Sequence, residues 1–96
     1  MIVHIVMFNF KDENKMANIA KTEVMLKALV EKIAPLLSME VGVDFNRSER
    51  AMDLSLISTF ESKEGLQTYA THPAHLEVVS FIKTVTNTSK VVDYEK

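Results

Sequence analysis

Ile2-Val3-His4-Ile5-Val6-Met7-Phe8-Asn9-Phe10 decides the fold. Successive side chains of a strand point to opposite faces. Here both sets are apolar: Ile2, Val6, Phe8 and Phe10 on one side, Val3, Ile5 and Met7 on the other. Strands of that kind are covered on both faces. The run is β-branched and aromatic, and it stops at the charged group Lys11-Asp12-Glu13-Asn14. His4 is the one ionisable residue inside it.

Outward from this strand, residues 15–34 carry Met16, Ile19, Leu26, Leu29, Val30 and Ile33 at three- and four-residue spacing, which predicts a long helix. Glu23 and Lys27 are placed to pair on its other face, and Pro35 is expected to end it. Residues 39–45 alternate, with Met39, Val41, Val43 and Phe45 on one side, and predict a half-buried strand. A polar connection, 46–50, leads to a second alternating stretch, 52–61, so the two strands predict a hairpin. Ser62 is a plausible helix cap with Glu64 in the first turn. That helix should stop near His72, because Pro73 suits the first position of a new one, which runs to about Val85. Val91 to Tyr94 predicts a short last strand.

The order β-α-β-β-α-β over residues 1–96, without linker or repeat, is the split βαβ arrangement of an α+β domain. Right-handed crossovers place the first and third strands at the centre of a four-stranded antiparallel sheet with the helices on one face. The opposite face is then bare, and Val3, Ile5, Met7 and Ile57 make part of it apolar. A homodimer with two sheets packed face to face would cover it.

Composition narrows the function classes. A net charge of −2, with no clustered Lys or Arg, argues against nucleic acid as a partner. The absence of cysteine removes disulfides, thiolate nucleophiles and Cys-based zinc sites. No stretch approaches the roughly 20 apolar residues of a membrane span. The first residues lack a basic leader and a small-residue cleavage site, so a cytoplasmic protein is expected. The six methionines read as core filler, Met16, Met25 and Met39 among them. The run from Lys11 to Lys15 reads as a solvated loop or as the border of a pocket mouth, where Lys11 would attract an acidic ligand.

Chemistry concentrates in Tyr69-Ala70-Thr71-His72-Pro73-Ala74-His75. A phenol and two imidazoles fall within two helical turns around a proline break. Such rings serve either a ligand pocket or a set of buried hydrogen bonds. His75 precedes Val78, Val79 and Ile82 at helical spacing, so it points toward the core. His72 is expected at the helix break, bonded to backbone. His72 and His75 are three apart, and Asp93 or His4 could add ligands, but the intervening proline leaves the directions of the two histidines open and no second close ligand pair exists, so no metal is expected.

The chain resembles the stress-responsive dimeric α/β-barrel family, Dabb. The resemblance rests on Val3 to Lys11, on Glu40-Val41-Gly42, on Asp53-Leu54-Ser55-Leu56 with Phe60-Glu61-Ser62, on Tyr69 to His75, and on Val92-Asp93-Tyr94. It implies a ferredoxin-like protomer whose sheet packs on a twin to form a dimeric α+β barrel. Plant members that act as polyketide cyclases close a ring with a tyrosine and the second histidine of this segment. Those positions are Tyr69 and His75 here, with His4, His72 and Asp93 as polar neighbours. On that resemblance His75 would be the base of a cofactor-free aldol closure and Tyr69 the oxyanion donor, with Asp93 accepting from the other ring nitrogen of His75. The alternative is structural, with His75 bonded to Asp93 to join helix and strand. Where an aromatic product would want aromatic walls, the first helix offers Glu23 and Leu26, which points to a smaller ligand. The leading expectation is a stress-associated protein that binds a small organic molecule between sheet and helices, with Leu26 and Phe8 also lining the pocket. A cofactor-free lyase or cyclase and a purely structural protein are the alternatives.

Overall fold

The computed structural model describes residues 1–96. Its elements are β1 (Ile2–Phe10), α1 (Lys15–Lys32), β2 (Ser38–Val43), β3 (Leu54–Phe60), α2 (Lys63–Thr71), α3 (Pro73–Val85) and β4 (Thr86–Glu95). The strands form one sheet in the order β2-β3-β1-β4, and every pairing is antiparallel. β1 and β3 are central, as the crossover rule requires, and the fold is ferredoxin-like. Ile2, Val6, Phe8 and Phe10 of β1 and Leu54, Leu56 and Phe60 of β3 face the helices. They meet Leu26, Leu29 and Ile33 in the main core. No helix is long and apolar enough to cross a membrane.

Several boundaries differ from the sequence reading, each for a local reason. α1 ends at Lys32, not at Ala34. Ile33 is already extended (φ −126°, ψ 106°), although its N–H still bonds the Leu29 carbonyl at 3.0 Å. Ile33 and Leu36 are both buried, so the chain leaves the helix early to pin two side chains in the core. β2 ends at Val43, and Phe45, expected on its apolar face, is 92% exposed. Met16 is 73% exposed and is not core filler, whereas Met25 and Met39 do pack against the core. β4 is the largest surprise. It starts directly after α3 and pairs with β1 over its full length, from Phe10 opposite Thr86 to Ile2 opposite Glu95. Thr86-Asn87-Thr88-Ser89-Lys90 looks like a loop in the sequence because an edge strand needs no apolar face of its own.

The outer sheet face carries Val3, Ile5 and Met7 of β1, Ile57 of β3, and Val92 and Tyr94 of β4, as the pairing register dictates. Val3 is already covered by its neighbours, while Met7, Val92 and Tyr94 stand exposed in the protomer.

A buried carboxylate ties the hairpin loop to β1. The β1–β4 register shifts between Asn9 and Phe10. The Phe10 N–H donates instead to Asp53 Oδ2, at 2.7 Å. Asp53 Oδ1 accepts from Arg47 Nη2 at 2.8 Å, and Lys15 Nζ lies 3.5 Å from Oδ2. Arg47 sits in the left-handed region (φ 53°) and its N–H donates to Asp44 Oδ2 at 2.8 Å. Asp53 itself is 1% exposed. Burial alone would raise its pKa. The Phe10 N–H, then Arg47 and Lys15, outweigh that and hold the carboxyl below the usual value.

A depressed folded pKa means that the Asp53 contribution is fully present above the unfolded value, about 3.9, and is lost as pH falls through the folded one. Asp53→Asn should therefore destabilise the fold by about 1–3 kcal/mol at pH 7, the usual cost of weakening a buried charged hydrogen-bond acceptor. The gap between wild type and variant should narrow below about pH 4. Urea unfolding at the two pH values checks this, and a pH-independent gap would contradict it.

Candidate functional site

A cavity of about 310 Å³ lies between α3 and the inner face of β1 and β4. Val6, Phe8, Leu56 and Val91 form its sheet wall. Leu26, Val78, Val79 and Ile82 form its helix wall. One end holds His4, Tyr69 and His75, and the other Lys83, Thr86 and Ser89.

The ring end is built by the helix break. α2 closes with the His72 N–H bonded to the Tyr69 carbonyl at 3.1 Å. His72 is extended (φ −67°, ψ 136°), and Pro73, which has no N–H to satisfy, begins α3. His72 Nδ1 accepts from the Ala74 N–H at 3.0 Å, so the histidine serves as the helix cap. This break brings Tyr69, in the last turn of α2, against His75, in the first turn of α3. Their ring centroids are 4.2 Å apart and tilted by 42°. Tyr69 also packs on Phe60 at 5.1 Å and meets His4 edge-on at 6.3 Å.

Hydrogen-bond partners fix which ring atoms remain available. His75 Nδ1 lies 3.0 Å from the Ala70 carbonyl, which can only accept. Nδ1 therefore carries the proton, and in the neutral ring Nε2 is the bare nitrogen. Burial lowers the His75 pKa; the Ala70 carbonyl works against that, and the charges of His4 and His72 reinforce it. His75 is thus a neutral base at pH 7. Tyr69 is 1% exposed, and burial pushes its phenol up to about 12, so it stays protonated and able to donate. Its hydroxyl has no protein partner, yet no fully buried side-chain polar atom lacks one. The hydroxyl therefore opens onto the cavity.

His4 holds the third ring position. β4 sets Asp93 directly opposite His4, and Asp93 Oδ1 accepts from His4 Nδ1. The carboxylate fixes the His4 tautomer and leaves Nε2 free. This corrects the expected partnership of Asp93 with His75. The β1–β4 register delivers Asp93 to His4, and the Ala70 carbonyl already occupies the His75 nitrogen. Asp93 lies behind His4 and does not line the cavity. His72 does not line it either, because its ring is turned to the α3 backbone. Tyr69, His75, His4, Leu26 and Phe8 all line it. No three metal-ligating side chains converge anywhere in the protein.

Sequence reasoning missed Lys83, Thr86, Ser89 and Val91. The signal for the last two was present as alternation: Ser89, Val91 and Asp93 stand opposite Phe8, Val6 and His4. Lys83 follows Ile82 on α3, and only the course of that helix beside β1 shows that it borders a cavity.

Comparison with known proteins agrees with this architecture. Residues 2–96 match the Stress responsive A/B Barrel Domain, Dabb. The stress-response A/B barrel domain-containing protein HS1 of Arabidopsis thaliana is 30% identical over 99 residues, covering 98% of this chain and 88% of that protein. A dimeric protein of unknown function and ferredoxin-like fold from Bacteroides fragilis superposes with a TM-score of 0.91 at 29% identity, over 99% of this chain and 95% of its own. A hydroxynitrile lyase from Passiflora edulis shares the fold, with a TM-score of 0.86 at 20% identity over 97% of this chain and 90% of its own. The chain belongs to the stress responsive A/B barrel domain family.

Proposed function

We propose that this protein is a cytoplasmic, stress-associated homodimer that binds a small organic molecule in the cavity between α3 and the sheet. The observation that carries the reading is the set of three ring atoms with no protein partner at one end of an apolar cavity: the Tyr69 hydroxyl, His75 Nε2 and His4 Nε2. Polar atoms that face an otherwise apolar cavity fix the orientation of a bound small molecule. Here the pairing is left to an occupant, and the cavity volume falls at the lower end of the range for small-molecule sites.

The exposed outer-face residues Met7, Val92 and Tyr94 support the homodimer. Burying one such side chain completely contributes about 1.5–3 kcal/mol. The Bacteroides neighbour, similar over nearly the whole chain, is itself dimeric.

A cofactor-free lyase or cyclase is the second reading, favoured by the fixed tautomer of His75. Its bare Nε2 would take a proton from carbon next to a substrate carbonyl, and the Tyr69 hydroxyl would stabilise the resulting enolate oxygen. The enolate carbon would then attack a second carbonyl, and that oxygen would receive the proton back from His75. The cavity size and Leu26 on its helix wall favour a compact substrate over a large aromatic one.

Three measurements test these readings. A fragment screen by ligand-observed NMR should give hits on wild type that vanish in Val91→Trp, where a bulky ring fills the cavity from a wall position that is 57% exposed and so tolerant of change. Hits that persist would place binding elsewhere. For the enzyme reading, β-keto thioesters should turn over about 10²–10⁴ times faster with wild type than with His75→Ala. Because the His75 pKa is lowered, the rate should hold as pH drops through about 6.5, the ordinary histidine value, and fall only below it. Equal rates for the two proteins would remove His75 as the base. For assembly, solution scattering at micromolar concentration should return twice the protomer mass, and a stable single copy would refute the dimer.

A further inference from the structure

The cavity is polar at both ends and apolar between them. α3 runs alongside β1 in the same direction, since Tyr69 and His75 meet His4 near the start of β1, and the Val85 carbonyl accepts from the Lys11 N–H just past its end, at 2.8 Å. The rings therefore occupy one end and Lys83 and Ser89 the other. With a rise of about 1.5 Å per residue, His75 and Lys83 are roughly 12 Å apart along α3. His4 and Phe8, the latter paired with Ser89, are roughly 13 Å apart along β1 at about 3.3 Å per residue.

Lys83 is an exposed cation on the cavity wall. The salt bridges of the protein use His4, Lys15, Lys27 and Arg47 and leave it free. On the same turn of α3, Lys11 Nζ donates to the Thr84 carbonyl at 3.3 Å. A lysine in the last turn of a helix also complements the helix dipole. That accounts for a cation on this turn, but not for its place in the lining of a cavity with Ser89.

We propose that the cavity takes an elongated organic acid, with its carboxylate at Lys83, an apolar body about 12 Å long, and a hydroxyl or carbonyl group at Tyr69 and His75. The inference rests on the reading that the cavity binds a small organic molecule, and it supplies the ligand class. The apolar residues between the ends suit an aliphatic or singly ringed body. At the ring end, the Tyr69 hydroxyl donates to a ligand oxygen and the bare His75 Nε2 accepts from a ligand hydroxyl.

Calorimetric titration with decanoate, 10-hydroxydecanoate and 1,10-decanediol tests the assignment on wild type, Lys83→Met and Tyr69→Phe. Lys83 is exposed, so its replacement keeps the fold, which circular dichroism verifies. The hydroxy acid and the diol offer the same hydroxyl to the ring end, so 10-hydroxydecanoate should bind wild type about three- to fivefold more tightly than the diol at low salt, the effect of one accessible ion pair. The preference should shrink in 0.5 M salt and disappear in Lys83→Met, with diol binding unchanged. The terminal hydroxyl of 10-hydroxydecanoate should add about fivefold, a gain lost in Tyr69→Phe. Amide shifts on binding should centre on Lys83 and Ser89. Equal affinity for hydroxy acid and diol, a preference that survives Lys83→Met, or shifts confined to Ile57 and Val92 on the outer face would overturn the proposal and leave the cavity reading standing. Failure of all three probes to bind would overturn both.

Discussion

β1 is hydrogen-bonded along both edges and apolar on both faces, and the other elements take their places from it. β3 lies on one side of it and β4 on the other. The helices cover its inner face, and its outer face is uncovered in the protomer. Because side chains alternate along a strand, a one-residue slip of β1 would exchange the two faces and move His4 out of the cavity. The register is held at the far end by Asp53, whose carboxylate takes the Phe10 N–H where the ladder to β4 shifts. The buried ionic cluster and the ring end of the cavity thus depend on the same strand, one at each end.

The second constraint is the interruption between α2 and α3. A continuous helix through 63–85 would carry Tyr69 and His75 on one rigid axis. The extended His72 and the N1 proline re-aim the chain, and the two rings close to 4.2 Å. The histidine that makes this possible uses its ring on the backbone and has none left for a ligand. One histidine shapes the site, a second turns a bare ring nitrogen to the cavity, and a third is oriented by a carboxylate across the sheet. Three copies of one residue type take three roles because their hydrogen-bond partners differ.

Electrostatics separate the ends of the cavity. At the ring end, burial keeps the phenol protonated and the His75 imidazole neutral. At the opposite end Lys83 is exposed to water. An occupant that spans both would present a neutral hydrogen-bonding group inward and a charged one outward, which keeps the cost of desolvating charge low.

Periodicity alone determined much of this protein. The two-faced first strand, the three- and four-residue spacing of α1, the alternation in β2 and β3 and the proline at the head of α3 specify the order of elements, because hydrophobic period reports which sides of an element meet the core. The ring cluster was legible too, since Tyr69, His72 and His75 lie within one short segment. What the sequence could not decide are pairings between distant residues. Asp93 belongs to His4 because of strand register, although His75 is the more conspicuous partner in the linear sequence. β4 begins five residues before its apolar part because edge pairing uses backbone groups, which every residue possesses. Lys83 borders a cavity only because α3 runs beside β1. Local patterns record burial, whereas partnership is set by the chain's path in three dimensions.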